Sequence, residues 1–266
     1  VAMGPAAILE ERLGFADILH EEEVDVPTEL QKLESALEKT CIQTIFLEKR
    51  VAERLSETDA AIFHTHLMIL EDRSFINKLE QEIKSGHSAA YALEKIVANY
   101  IEAFAKMDDP YLRERAVDME DIGRRILANL VGDEADHALY LKHPSVLVAR
   151  VILPSDMAAL DNDQILGIIT EDSETNSHAV IMAKSMGIPA IVGARGALRQ
   201  IAPEDDLIID ANSGQIYVKP MAAVREEYQR LLADQTRELC RLEQYRDQPA
   251  ATSDGQRIIL RANIGL

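Results

Sequence analysis

Residues 1–9, VAMGPAAIL, read as a β-strand interrupted at Gly4-Pro5, and the next strand-like stretch begins only at Ser145. A strand cannot satisfy its backbone N–H and C=O groups alone, so this one must find partners far along the chain. What lies between is helical in period. After an acidic connector over 10–27, Pro27 opens one long amphipathic helix marked by Leu30, Leu33, Leu37, Cys41, Ile45, Val51 and Leu55. Ser56 with Asp59 signals the cap of a helix over 58–72. Ile76, Leu79 and Ile83 mark a helix over 74–85, stopped by Gly86. Ser88 caps a fourth, carrying Leu93, Ile96, Val97, Tyr100 and Phe104. Asp108-Asp109-Pro110 opens a fifth, carrying Leu112, Ala116, Met119, Ile122, Ile126, Leu127 and Leu130 and ending at Gly132. Short links between such helices predict an antiparallel bundle.

From Ser145 the period changes. Strands are expected over 145–153, 164–170, 190–192, 206–210 and 215–218, the last two joined as a hairpin at Asn212-Ser213-Gly214. A short helix opens at Pro154-Ser155. Alternating strands and helices predict an α/β unit. The orphan first strand belongs with it, which makes the helical bundle an insertion. The expected division is 1–20 with 145–219 for the α/β domain and 28–132 for the helical subdomain. A connecting helix and linker follow over 220–256, and a strand beginning another unit over 257–266. The abrupt ends read as a piece of a longer protein, and the connectors at 10–27 and 132–144 are long enough for hinge motion.

The formal net charge of −18 disfavours nucleic acid and anionic membrane surfaces and favours a basic partner. Although 47% of residues are hydrophobic, no apolar run approaches the ~20 residues of a membrane span, and no secretory signal is recognisable. Cys41 and Cys240 lack metal-ligand spacing and read as free thiols of a reducing cytoplasm.

Of seven histidines, His64 and His66 sit two apart on a helix and make a poor metal pair; His20, His87, His137 and His143 have no chemical setting, and no metal site is expected. His178 differs. It follows Thr175, Asn176 and Ser177, each able to cap a helix, and precedes the apolar run Ala179–Ala183. It therefore stands at a helix N-terminus beyond the carboxyl end of a strand. There, unpaired N–H groups and the positive dipole end suit an anion such as a phosphoryl group.

The stretch TNSHAVIMAKSMGIPAIVG resembles the phosphohistidine signature of Enzyme I of the phosphoenolpyruvate-dependent sugar phosphotransferase system. The match runs through Ser177, His178, Ile181, Met182, Ala183, Ser185 and Pro189 to Gly193. AAIFHTHLMILED at 60–72 and DDPYLRERAVDMEDIGRRIL at 108–127 resemble that family's helical domain, and ANIGL at 262–266 the first strand of its phosphoenolpyruvate-binding barrel. The Asn-Ser-His-Ala form is more similar to the nitrogen-related branch. The resemblance implies a swivelling α/β phosphohistidine domain with an inserted all-α carrier-binding bundle. It implies that His178 takes a phosphoryl group on Nε2 from phosphoenolpyruvate and passes it to a histidine of HPr or a nitrogen-branch equivalent. Ser177 and Lys184 would stabilise the phosphoryl group. Met68, Ile69, Asp72, Phe75, Phe104, Tyr111 and Arg115 would form the carrier-binding surface. Phosphoenolpyruvate and Mg²⁺ belong to the absent barrel, as does dimerisation. This chain is thus expected to be a cytoplasmic monomer that exchanges phosphoryl groups only with the carrier. Three departures stand out. Ser173 and Glu174 replace paired glycines, Leu153 replaces a hydroxyl residue that holds the imidazole (Ser155 is the nearest substitute), and Lys184 replaces an arginine. The alternatives are a non-catalytic regulatory carrier-binding module, or the phosphohistidine domain of an enzyme of the pyruvate phosphate dikinase or phosphoenolpyruvate synthase kind, which lacks such a bundle.

Overall fold

A computed structural model describes residues 1–9, 24–132, 141–172, 177–246, 248–252 and 254–259. Most of both expected hinge connectors, the 173–176 loop and the ANIGL segment lie outside these residues. Strand β1 (Ala2–Ile8) sits inside a six-stranded sheet of order β4-β3-β2-β1-β5-β6. It runs parallel to β2 (Ser145–Ala149) and antiparallel to β5 (Asp206–Asp210). Beyond β2 come β3 (Ile165–Thr170) and β4 (Ala190–Ile191), both parallel; beyond β5 comes β6 (Gln215–Val218), its hairpin partner.

Proline has no backbone N–H to donate and is rare in central strands. Here Ala2–Pro5 pairs with β5 while Ala6–Ile8 pairs with β2, so Pro5 falls where the strand changes partners. Gly4 beside it has no side chain for a second reason: a Cβ there would collide with Leu166.

Between β1 and β2 the chain forms α1 (Val26–Arg54), α2 (Glu57–Leu70), α3 (Arg73–Lys84), α4 (Ala89–Ala105) and α5 (Pro110–Val131). The caps act as their sequences dictate. Asp25, Ser56, Asp72 and Ser88 each accept from a first-turn N–H. After β2 come α6 (Pro154–Ala159), α7 (His178–Ser185), α8 (Ala197–Gln200) and α9 (Ala222–Arg246). The fold is therefore an α/β domain with an inserted helical bundle and a C-terminal helix.

Alternation along β2 sends Val146 and Val148 to one face of the sheet and Leu147 and Ala149 to the other. On the Leu147 face lie Met157 of α6 and Met182 and Ala183 of α7. Leu47 and Val51 of α1 and Ile62 and Phe63 of α2 join the same cluster. A second apolar cluster, built on Leu33, Phe75, Leu79, Leu93, Ile122 and Ile126, fills the bundle itself. At the rim, Arg50 and Arg54 of α1 both reach Asp161, at 2.9 and 3.0 Å. The hydrogen bond from Arg54, with the nearby Arg50 charge, holds the Asp161 carboxyl below its ordinary range. Helix α9, ~38 Å long for its 25 residues, is exposed along most of its length. Arg225 ties its start to Asp206 at 2.6 Å.

Two expectations need correction. The strand at 145 ends at Ala149, not 153, because its partner β3 ends at Thr170 opposite Ala149 and leaves no ladder for 150–153. Pro154 also holds Leu153 extended for entry into α6 (φ −93°, ψ 156°). Ile45 is 43% exposed, because the inward stripe of α1 runs Leu33, Ala36, Leu37, Thr40, Thr44, Leu47, Val51. Helix α8 went unread, being a single turn.

Phe63 is fully buried where the bundle meets the sheet layer. Phe63→Ala should cost about 3–5 kcal/mol, read as a lower calorimetric melting temperature. Met68→Ala, exposed on the same helix, should stay within about 0.5 kcal/mol of wild type.

Candidate functional site

His178 is the first residue of α7, which follows β3 across a loop. Ser177 occupies the N-cap position with extended backbone (φ −62°, ψ 145°), but its side chain makes no capping bond. Its Oγ is buried without a hydrogen-bond partner among the described residues. Such an orphan is costly, and it stands directly beside the histidine. The His178 ring is 30% exposed, and its Nδ1 lies 3.9 Å from Glu114 Oε2 and 4.0 Å from Asp118 Oδ1. Both carboxylates belong to α5, in the inserted bundle. The site is thus made by two parts of the fold: the nucleophile candidate comes from the α/β domain and its acidic neighbours from the helices. Alongside runs a cleft of about 160 Å³ lined by Arg113, Glu114, Val117, Ile152, Asp172 and Ser177. A second, smaller pocket shares Glu114, Val117, Ile152 and Ser177 with it and adds Asp118, Pro154, His178 and Ala179.

Behind Asp118 the bundle carries buried charge. Asp118, Asp121, Arg125 and His66 are almost fully excluded from solvent. Arg125 Nε faces Asp121 Oδ1 at 3.3 Å as an ion pair without hydrogen-bond alignment. Its Nη1 donates to Thr44 Oγ1 at 2.8 Å, and Nη2 lies 3.3 Å from His66 Nδ1. Burial pushes the guanidinium below its ordinary pKa while the Asp121 charge opposes that shift. Asp121 Oδ2 also accepts from the backbone N–H of Ser155 at 2.9 Å, so α5 holds the start of α6. Asp156 caps that start by accepting from the Leu153 N–H at 3.1 Å. Leu153, at the position of the family's hydroxyl, is buried and apolar and cannot hold the imidazole; Ser155 is tied to Asp121 through its backbone N–H, which leaves its hydroxyl uncommitted by that bond.

The other expected site residues divide. Lys184 is exposed in the last turn of α7. Six residues on from His178, it is ~9 Å along the axis and rotated to another face, so the structure does not bring it to the ring. Phe75 is 2% exposed in the bundle core and cannot offer a docking surface; it packs edge-on to Tyr100. Met68 is 64% exposed, whereas Ile69 and Phe104 are half-buried against the bundle core. Asp72 caps α3 through the N–H groups of Ser74 and Phe75. Arg115 Nη1 pairs with Asp118 Oδ2 at 3.2 Å. The Tyr111 side chain, Ser173 and Glu174 lie outside the described residues. His143 pairs with Glu204 at 3.0 Å, and His64 and His87 lie near Glu48 and Glu82, away from this cleft. Burial and the Glu71 charge push the Cys41 thiol up.

Sequence reasoning missed Glu114 and Asp118. The available signal was the polar seam Arg115, Asp118, Asp121, Arg125 and Asn129, recurring at helical spacing beside the apolar stripe of α5.

Residues 1–115 match the family described as PEP-utilising enzyme, N-terminal, and residues 141–214 match PEP-utilising enzyme, mobile domain. The phosphoenolpyruvate-protein phosphotransferase of Staphylococcus carnosus is 32% identical across 100% of this chain and 46% of its own length. That of Haemophilus influenzae is also 32% identical, over 100% of this chain and 46% of its length. The chain thus spans just under half the length of these curated relatives. A solution NMR structure of Enzyme I (nEIt) superposes with a TM-score of 0.69 at 30% identity, covering 88% of this chain and 95% of that one. An N-terminal domain of Enzyme 1 - Nitrogen gives 0.57 at 27% identity, covering 87% and 95%. Among the described residues no helix is long and apolar enough to cross a membrane.

Removing one member of the buried Arg125–Asp121 pair leaves an uncompensated charge. Arg125→Leu should destabilise the chain by about 3–5 kcal/mol, measured as a lower midpoint in urea. A midpoint matching wild type would show that the pair carries no structural weight.

Proposed function

The chain belongs to the phosphoenolpyruvate-utilising enzymes as the N-terminal and mobile-domain portion of an Enzyme I, and on that premise we propose that it relays a phosphoryl group through His178. The observation that carries this reading is the placement of two carboxylates against one ring nitrogen. Anionic Glu114 and Asp118 face Nδ1 and favour the ring's proton on that nitrogen. The lone pair is then left on Nε2, free to attack phosphorus. In the transfer from a carrier phosphohistidine, the His178 Nε2–P bond forms as the carrier's N–P bond breaks, and the carrier imidazole leaves with its electron pair. The Nδ1 proton stays where it is. Phosphoryl transfer asks mainly for positioning and charge stabilisation. Ser177 Oγ, buried and without a partner among the described residues, would donate to a phosphoryl oxygen, and the first-turn N–H groups of α7 donate no bond to it.

The donor in the longer protein is phosphoenolpyruvate, and the acceptor is a histidine of an HPr-type carrier or its nitrogen-branch equivalent. Met68, with Ile69 and Phe104 at its margins, supplies the apolar part of the docking surface, and the strong negative charge attracts a basic carrier. Asp72 and Arg115 contribute from its edges through groups already tied to the bundle. Mg²⁺ enters only with phosphoenolpyruvate. Among the described residues no group of three or more His, Cys, Asp or Glu side chains is arranged to hold a metal. Dimerisation likewise belongs to the part of the longer protein beyond this span, and the 266-residue chain should run as a monomer in the cytoplasm.

Incubated with carrier bearing a radiolabelled phosphohistidine, the wild-type chain should take up acid-labile label, and His178→Ala should take up none. Undiminished label on His178→Ala, or none on wild type, would overturn the reading; the second result with carrier binding intact would favour a regulatory module. A separate titration tests the surface. Met68→Glu should weaken carrier binding about tenfold, equivalent to ~1.4 kcal/mol, with the melting temperature unchanged.

A further inference from the structure

His66 on α2 is wholly buried, yet nothing in the relay chemistry so far uses it. The groups facing it fix its protonation. From α5, Arg125 Nη2 lies 3.3 Å from His66 Nδ1. A guanidinium has only donors, so Nδ1 must accept, and the ring's proton must sit on Nε2. A second proton would set N–H against N–H. Also from α5, Asp118 Oδ1 lies 3.7 Å from that Nε2. From α1, Thr44 accepts from the same guanidinium, and on α2 itself Phe63 presents an edge-to-face ring with centroids 5.6 Å apart.

Asp118 Oδ1 is shared. It stands 3.7 Å from His66 Nε2 and 4.0 Å from His178 Nδ1, while Arg115 holds Oδ2. The His66 Nε2 donor makes no hydrogen bond, although it is fully buried. One carboxylate oxygen therefore lies between two imidazole nitrogens, beyond direct hydrogen-bond distance of both but close enough to act on each through its charge.

We infer that His66 is a positioning residue for His178 and acts through Asp118. Arg125 sets His66 as the Nε2–H tautomer. His66 and Arg115 hold Asp118 as an oriented anion. Asp118 keeps the His178 proton on Nδ1 and so leaves Nε2 for phosphorus. Glu114 faces the same nitrogen at a similar distance, but its side chain is 21% exposed against 1% for Asp118. The inference rests on His178 being the phosphoryl acceptor.

A glutamine at this position can accept from Arg125 through its oxygen and donate to Asp118 through its nitrogen; a leucine can do neither. Ring ¹⁵N chemical shifts of His178 in the full chain report its tautomer directly, and circular dichroism confirms folding. Wild type and His66→Gln should show His178 mainly as Nδ1–H. His66→Leu should shift it toward Nε2–H and slow uptake of label from the phosphorylated carrier at least tenfold. Should His66→Leu fail to fold, Asp118→Asn, which removes the anion, should produce the same shift. An unchanged His178 tautomer in either folded variant would overturn the inference. Failure of the wild type to accept label would instead overturn the reading beneath it, whatever the tautomers show.

Discussion

The contact on which the rest depends is the apolar cluster shared by bundle and sheet. Leu47, Val51, Ile62 and Phe63 come from α1 and α2; Leu147 and Ile168 come from the sheet, and Met182 and Ala183 from α7. Apolar burial is non-directional, but close packing makes it specific in position. Because α7 is wedged into this cluster by its Ala179, Met182 and Ala183 face, its first residue is presented to α5. The Arg50 and Arg54 pairs with Asp161 at the rim add little, since exposed ion pairs are weak. Ser185 Oγ donating to Asp59 at 3.3 Å is similarly peripheral.

Inside α5, polar atoms occupy positions that apolar side chains would fill more cheaply. Buried charges gain stability only when geometry and hydrogen bonding repay their desolvation. The His66–Asp118–Arg125–Asp121 seam is imperfect on that account, with Arg125 Nε, Asp121 Oδ1 and His66 Nε2 left without hydrogen bonds. The seam ends at the cleft, beside His178 and at the start of α6. A stability optimum would have removed it; a site that needs an oriented carboxylate would not.

The sequence pattern carried the large elements well. Five helices showed their apolar stripes, two of them with their Ser caps, and Asn212-Ser213-Gly214 announced the hairpin, Gly214 taking the left-handed backbone (φ 70°) that such a turn needs. It failed where burial and hydropathy part company. Ile45 was expected inside and lies outside, while Thr40 and Thr44 took the inward positions. They can, because each hydroxyl bonds the carbonyl four residues back, at 2.7 and 2.6 Å. Phe75 was assigned to a surface because a motif placed it there; the third residue of α3, it turns inward onto Tyr100. In the candidate site, His178 was legible from its capped position and its signature. Asp118 was harder to read, because a polar seam at helical spacing also describes a solvated face, and what sets this one apart is the residues it faces, which lie far off in sequence.

The central place of β1 has a consequence for how the chain is made. The strand is synthesised before the bundle, yet its partners β2 and β5 follow it, on the far side of five helices. Helical contacts are local and form quickly, so the bundle can fold during elongation while β1 still lacks both neighbours. An unpaired apolar strand on a ribosome-bound chain is an invitation to pair with another copy. Gly4-Pro5 blunts that hazard: the proline withholds one ladder donor from any stranger. The same dipeptide that lets β1 change partners in the finished sheet guards it during the wait.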